Sequence, residues 1–95
     1  MRRVELRPAA RRDMLRFETS LNRHSPKAAL RMFNLVTGRI LSLAEQPFKG
    51  VERQNSFREL TIKFGKSAYV VRYRVSDDAV IVTRVWHSLQ NRPRR

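Results

Sequence analysis

Phe57 to His87 reads as three strands joined by two tight turns, and the turns constrain each other. The first is Gly65-Lys66, where Gly at the first central position supplies the positive φ of a type II′ hairpin. The second is Asp77-Asp78, whose short carboxylate side chains tolerate turn geometry and bond the local backbone. If Phe64 faces Ser67, then Ile62 lies opposite Tyr69 and Leu60 opposite Val71. If Ser76 faces Ala79, then Val75 lies opposite Val80 and Tyr73 opposite Val82. Slipping either register by one residue would send every side chain to the other face. Two independent turns nevertheless give one continuous apolar face, and that agreement supports both.

In the same registers the opposite face carries Phe57, Glu59, Thr61, Lys63, Arg72, Arg74, Thr83 and His87, interrupted by Val70, Ile81 and Val85. Glu59 lies across from Arg72, and Phe57 across from Arg74. Helices covering one side of a sheet leave such a face to solvent or to a partner. Residue by residue this is a solvated face with cross-strand pairs worth about 0.2–1 kcal/mol each. As a cluster it is a basic surface suited to a polyanion.

The helices come from the first half. Arg2 to Arg7 alternates, with Val4 and Leu6 on one side, which predicts a short strand. Pro8 suits a first helical position, and Ala10, Met14, Phe17 and Leu21 follow at helical spacing to about Arg23. His24 falls at the C-terminal end, as an exposed cap favoured by the helix dipole. Ser25-Pro26 starts a second helix, with Ser as N-cap. Ala29, Phe33, Val36, Ile40 and Leu43 mark its face, Leu30 and Leu41 widen it, and Pro47 ends it near Gln46. So short a connection predicts an antiparallel helix hairpin over the apolar face of the sheet. Gly38 inside the second helix costs roughly 1 kcal/mol relative to Ala and points to close helix packing. The expected core joins Leu60, Ile62, Tyr69, Val71, Tyr73, Val75, Val80 and Val82 to Phe17, Leu21, Phe33, Val36 and Ile40. Phe48 to Ser56 reads as a charged, solvated connection.

The expected fold class is therefore α+β: an N-terminal strand, then an antiparallel helix hairpin packed on a three-stranded antiparallel meander. Ninety-five residues make one domain, expected over 1–92 with a frayed basic tail at 93–95. There are no cysteines, so the fold closes by packing, without a disulfide or a Cys-type zinc site. Neither a metal nor a cofactor is expected. No apolar run approaches a membrane span, and Met-Arg-Arg-Val-Glu lacks an apolar signal region, which predicts a cytoplasmic protein that does not meet a membrane. The 21 Lys and Arg against 8 Asp and Glu leave a formal net charge of +13, spread over both halves. Such a charge implies an acidic partner or nucleic acid.

The segments Pro8-Ala-Ala-Arg-Arg-Asp13, Ser25-Pro-Lys-Ala-Ala-Leu30, Leu41-Ser-Leu-Ala-Glu-Gln-Pro47, Arg58-Glu-Leu60, Tyr69-Val-Val-Arg-Tyr-Arg-Val75 and Arg84-Val-Trp-His87 resemble the ParE/RelE superfamily of bacterial toxins. The resemblance runs from Val4 to about Arg92. It implies the toxin half of a type II toxin–antitoxin module, neutralised in a hetero-oligomer by an acidic antitoxin that lies along its exposed sheet and helices. It leaves two mechanisms. RelE-like members cleave mRNA in the ribosome; ParE-like members poison DNA gyrase.

Metal-free RNA cleavage needs a base, an acid and cations for the phosphorane. The candidates are Glu59, Lys63, Arg72, Arg74 and His87. Several nucleases of the superfamily end with a His-Tyr or a Tyr near the C-terminus, whereas His87 is followed by Ser88-Leu-Gln-Asn-Arg92. The Arg-Val-Trp-His ending is closer to the ParE pattern, in which that His closes the last strand. The residues expected to meet a partner are Phe57, Arg72, Arg74, Arg84, Trp86 and His87.

Overall fold

The computed structural model describes residues 1–90, 92 and 93. Five strands and two long helices follow one another: β1 (Arg3–Leu6), α1 (Pro8–His24), α2 (Pro26–Ser42), β2 (Val51–Glu52), β3 (Arg58–Phe64), β4 (Ser67–Val75) and β5 (Ala79–His87). Ser25 ends α1 and caps α2, its hydroxyl accepting from the Ala28 N–H at 3.1 Å. So tight a joint folds the helices back on one another, and their apolar stripes cover one side of the sheet.

The sheet order is β1-β5-β4-β3-β2. The meander is antiparallel, while β1 lies parallel to β5 at the edge. The first turn holds the expected register, Phe64 with Ser67, Ile62 with Tyr69 and Leu60 with Val71. Gly65 has φ of +63°, which explains the glycine there. The second turn also holds, Val75 with Val80 and Tyr73 with Val82, and Ser76 Oγ accepts from the Ala79 N–H. Beyond Val82 the expected register fails. Arg72 pairs with Arg84, not Thr83, because Thr83 is the extra residue of a β-bulge. Val85 then pairs with Val71, Trp86 with Val70 and His87 with Tyr69. Val85, expected on the open face, is thereby fully buried in the core. Trp86 and His87 likewise stand on the opposite sides of the sheet from those that uninterrupted alternation predicts.

The core joins Met14, Phe17, Met32, Val36, Ile40 and Leu43 to Leu60, Ile62, Tyr69, Val71, Tyr73, Val80, Val82 and Val85. Val75 and Leu21 are half-buried at its margin. The stripe on α2 is the expected one at Ala29, Val36, Ile40 and Leu43, all buried, but Met32 takes the inward place expected for Phe33. Met32, Val36, Ile40 and Leu43 face inward, while Phe33 is 38% exposed and Leu30 and Leu41 about three-fifths exposed. Phe33 follows Met32 by one residue, about 100° around the helix, which carries it to the edge of the buried face. Gly38 is exposed, and a Cβ there would meet nothing within 4 Å, so it does not mark a helix contact. The second helix stops at Ser42, four residues before Gln46, and Leu43 to Glu45 form a turn.

The connection before β3 is anchored rather than merely solvated. Tyr73 is fully buried, its hydroxyl donates to the Pro47 carbonyl at 2.7 Å, and it accepts from the Gly50 N–H at 2.8 Å. A Cβ on Gly50 would lie 2.6 Å from that hydroxyl, so only glycine lets the chain pass here. The expected tail residues 94 and 95 lie outside the described residues. No helix among the described residues is long and apolar enough to cross a membrane.

Candidate functional site: a cationic, aromatic cleft on the sheet

Away from the helices, β3, β4 and β5 bring Glu59, Arg72 and Trp86 side by side. Glu59 and Arg72 are the cross-strand pair the first turn dictates, but neither is solvated: they are 5% and 9% exposed. Arg53 Nε donates to Glu59 Oε1 at 3.2 Å, Arg72 Nη2 approaches Oε2 at 3.5 Å, and Arg92 Nη1 bonds Oε1. Burial alone would raise the Glu59 carboxyl. The hydrogen bond and charge of Arg92, with Arg53 and Arg72, outweigh it and hold the group below the usual carboxylate range.

Guanidiniums and rings alternate across the cleft. Arg74 lies 4.4 Å over Phe57. Arg72 stands between Phe57 at 5.9 Å and Trp86 at 4.9 Å. Arg92 covers the other part of Trp86 at 5.4 Å. Each such contact is worth about 0.5–2 kcal/mol and needs no carboxylate partner. This is how four arginines crowd around a single buried acid. The cleft has a volume of about 400 Å³, and Gln54 and Asn55 complete its wall. Asn55 and Ser56 carry the connection around its rim with φ of 63° and 65°, in the left-handed region.

The expected site residues divide. Phe57, Glu59 and Arg72 line the cleft, with Arg74 stacked on Phe57 and the buried Trp86 beneath Arg72 and Arg92. Lys63 shares the face but stands four residues along β3 from Glu59, about 13 Å at strand spacing. The bulge turns His87 to the helix side. There its ring packs edge-on against Tyr69 at 5.2 Å, beside Phe17 and Leu21. The Leu89 N–H donates to Nδ1 at 3.2 Å, which leaves Nε2 to donate to Ser67 Oγ at 2.9 Å. Both ring nitrogens are thus spent on closing the end of the sheet. Arg84 is also engaged internally: its Nε and Nη2 donate to the Asp13 carboxylate at 2.8 and 3.1 Å.

Asp13, Arg53 and Arg92 were missed by the sequence reading. Asp13 had a signal. It precedes Met14 and stands three residues after Ala10 and four before Phe17, so it lies on the apolar face of α1, where an acid needs a buried partner. Arg53 and Arg92 sit in connecting segments, where no periodicity aims a side chain. Among the described residues no group of His, Asp and Glu is arranged to hold a metal.

Residues 4–92 match the family model described as ParE toxin of type II toxin-antitoxin system, parDE. The chain is a type II toxin of the ParE/RelE superfamily. The toxin is 40% identical over 92 residues to toxin RelE3 of Caulobacter vibrioides, a match covering 97% of this chain and 100% of that one. It is 42% identical over 83 residues to toxin RelE1 of the same organism, covering 87% and 89%. Its fold is that of a chain in the chromosomal ParDE system from P. aeruginosa (TM-score 0.75, 15% identity, 92% and 96% covered). It is also similar to the conserved hypothetical protein HP0894 from Helicobacter pylori (TM-score 0.56, 22% identity, 92% and 94% covered).

Proposed function

We propose that this toxin arrests growth by binding DNA gyrase rather than by chemistry of its own, and that an acidic antitoxin neutralises it. One observation carries the reading: among the described residues the cleft gathers cations and rings but no acid–base pair. A general base must reach the proton it abstracts and hold a pKa near the working pH. Glu59 is drawn the opposite way by three arginines, His87 is on the helix side of the sheet, and Lys63 is remote. Arg53, Arg74 and Arg92 remain exposed around stacked rings, an arrangement that suits a docking surface.

A second surface supports the antitoxin. Val4, Leu6, Met14, Leu15, Phe33, Ile40 and their neighbours line an apolar groove of about 300 Å³ between β1 and the helices. An amphipathic helix fits such a groove, and acidic flanks would answer the charge of +13. Gyrase and ribosome are both cytoplasmic targets, which accords with the expected location.

The RelE names of the two Caulobacter relatives favour the second reading, a ribosome-dependent mRNA endoribonuclease. Induction in the host separates the two. Stalled gyrase–DNA complexes without codon-phased mRNA ends are expected, with rescue by the co-expressed antitoxin and with toxicity retained in His87→Ala. A-site cleavage that disappears in His87→Ala would replace gyrase poisoning by the nuclease.

A further inference from the structure

The bulge in β5 has a buried acid at its back. Strand β1 covers the outer edge of β5 only from Ala79 to Val82. The Arg7 N–H makes the last bond, to the Val82 carbonyl at 2.8 Å, and Pro8 then turns the chain into α1. Beyond that point the outer edge of β5 has no strand beside it. Asp13, on the second turn of α1, takes the strand's place. Its Oδ2 accepts from the Val85 N–H at 2.9 Å and from Arg84 Nε at 2.8 Å, and its Oδ1 accepts from Arg84 Nη2 at 3.1 Å and Arg16 Nη2 at 3.0 Å. The carboxylate is 1% exposed. Three of its four bonds go to the two residues immediately after the extra residue Thr83.

Those two residues decide which side chains reach the cleft. In an uninterrupted register Thr83 would oppose Arg72, and Trp86 would oppose Tyr69 in the core. In the bulged register Trp86 opposes Val70 and lies under Arg72 and Arg92, while His87 opposes Tyr69. A carboxylate buried with four donors is costly to disturb, because each donor left behind is unsatisfied. We infer that Asp13 is a positioning residue for the cleft: it fixes the register of β5 past the bulge and so sets Trp86 beneath the arginines.

The functional consequence rests on the cleft being the toxin's working face; the positional claim does not. Trp86 is the only tryptophan of the chain, so its emission reports its own surroundings. The test uses the purified full chain and the variants Asp13→Asn and Asp13→Ala, with circular dichroism and urea midpoints to certify folding. In the folded variants Trp86 should turn from the arginines into the core opposite Tyr69, so its emission should shift to the blue and acrylamide quenching should fall. Deletion of Thr83 removes the extra residue and keeps every cross-strand pair, so the ladder alone then fixes the register. In that background Asp13→Asn should still lower stability but leave Trp86 emission unmoved. Arg84→Lys, which keeps the charge but not the two-armed contact, is read the same way if neither Asp13 variant folds. Wild-type emission and quenching in a folded variant would overturn the inference, as would a shift that persists undiminished without Thr83. A shift of Trp86 with toxicity unchanged would uphold the positioning role and reject the cleft as the working face.

Discussion

Tyr73→Phe tests whether the connection before β3 is held by one phenol. The ring is fully buried, and burial pushes its ionisation up, so the hydroxyl stays protonated and donates. Removing it deletes the bonds to the Pro47 carbonyl and from the Gly50 N–H, both buried residues. At about 1 kcal/mol net per bond, with an added cost for a backbone group left dry, the loss should be about 2–3 kcal/mol. For a domain of this size that lowers Tm by about 10–20 °C. Urea unfolding followed by circular dichroism should show a lower midpoint with an unchanged slope. Gly50→Ala supplies the control, since its methyl would strike the same hydroxyl at 2.6 Å and the ring at 2.9 Å. Its cost should be smaller in Tyr73→Phe than in wild type, because part of the clash is then gone. A Tyr73→Phe loss below about 0.5 kcal/mol, the range of an ordinary surface change, would refute the anchoring argument. So would strict additivity with Gly50→Ala.

Gly38→Ala should stabilise the chain by about 1 kcal/mol in the same assay, because the helix gains a better former and the new methyl meets open space; a loss would mean a neighbour occupies that space. Acid should weaken the fold through Asp13 and Glu59. Burial tends to raise both carboxyls, but their arginine partners, with the Val85 N–H at Asp13, lower them below unfolded values of about 4. A depressed folded value means the added stability is complete above the unfolded value and drains away as pH falls through the folded one. Urea midpoints should therefore hold near pH 6 and fall below about pH 4, with a shallower fall in Glu59→Gln; equal slopes in the two proteins would count against the Glu59 clamp.

Much of this architecture is legible locally. Gly65 and the Asp77-Asp78 pair each set a register that the sheet keeps, and Ser25-Pro26 breaks the helices where it should. The errors arise where a distant group intervenes. Thr83 bulges beside Asp13, seventy residues earlier in the chain, and no pattern within β5 announces it. That one residue moved Val85, Trp86 and His87 off their expected sides. Met32 and Phe33 are equally apolar to a periodicity argument, and only the fit against the sheet decides which is inside. In the cleft, Glu59 and Arg72 lie on strands whose register the first turn sets, whereas Arg53 and Arg92 arrive from segments whose course depends on Tyr73, Gly50 and Trp86.

The parallel pairing of β1 with β5 bears on how the chain comes off the ribosome. Arg3 finds its partner in Ala79, so the first strand waits for nearly the whole sequence before it can pair. Loop closure over such a span is slow, and domains fold as units once their last element emerges. A nascent chain lacking β5 has a helix hairpin and the β3–β4 hairpin but no strand to seat β1 and no Val80, Val82 or Val85 beneath α1. Translation must run past His87 before Trp86 can complete the cleft, so a prematurely terminated product should be harmless to the cell that makes it.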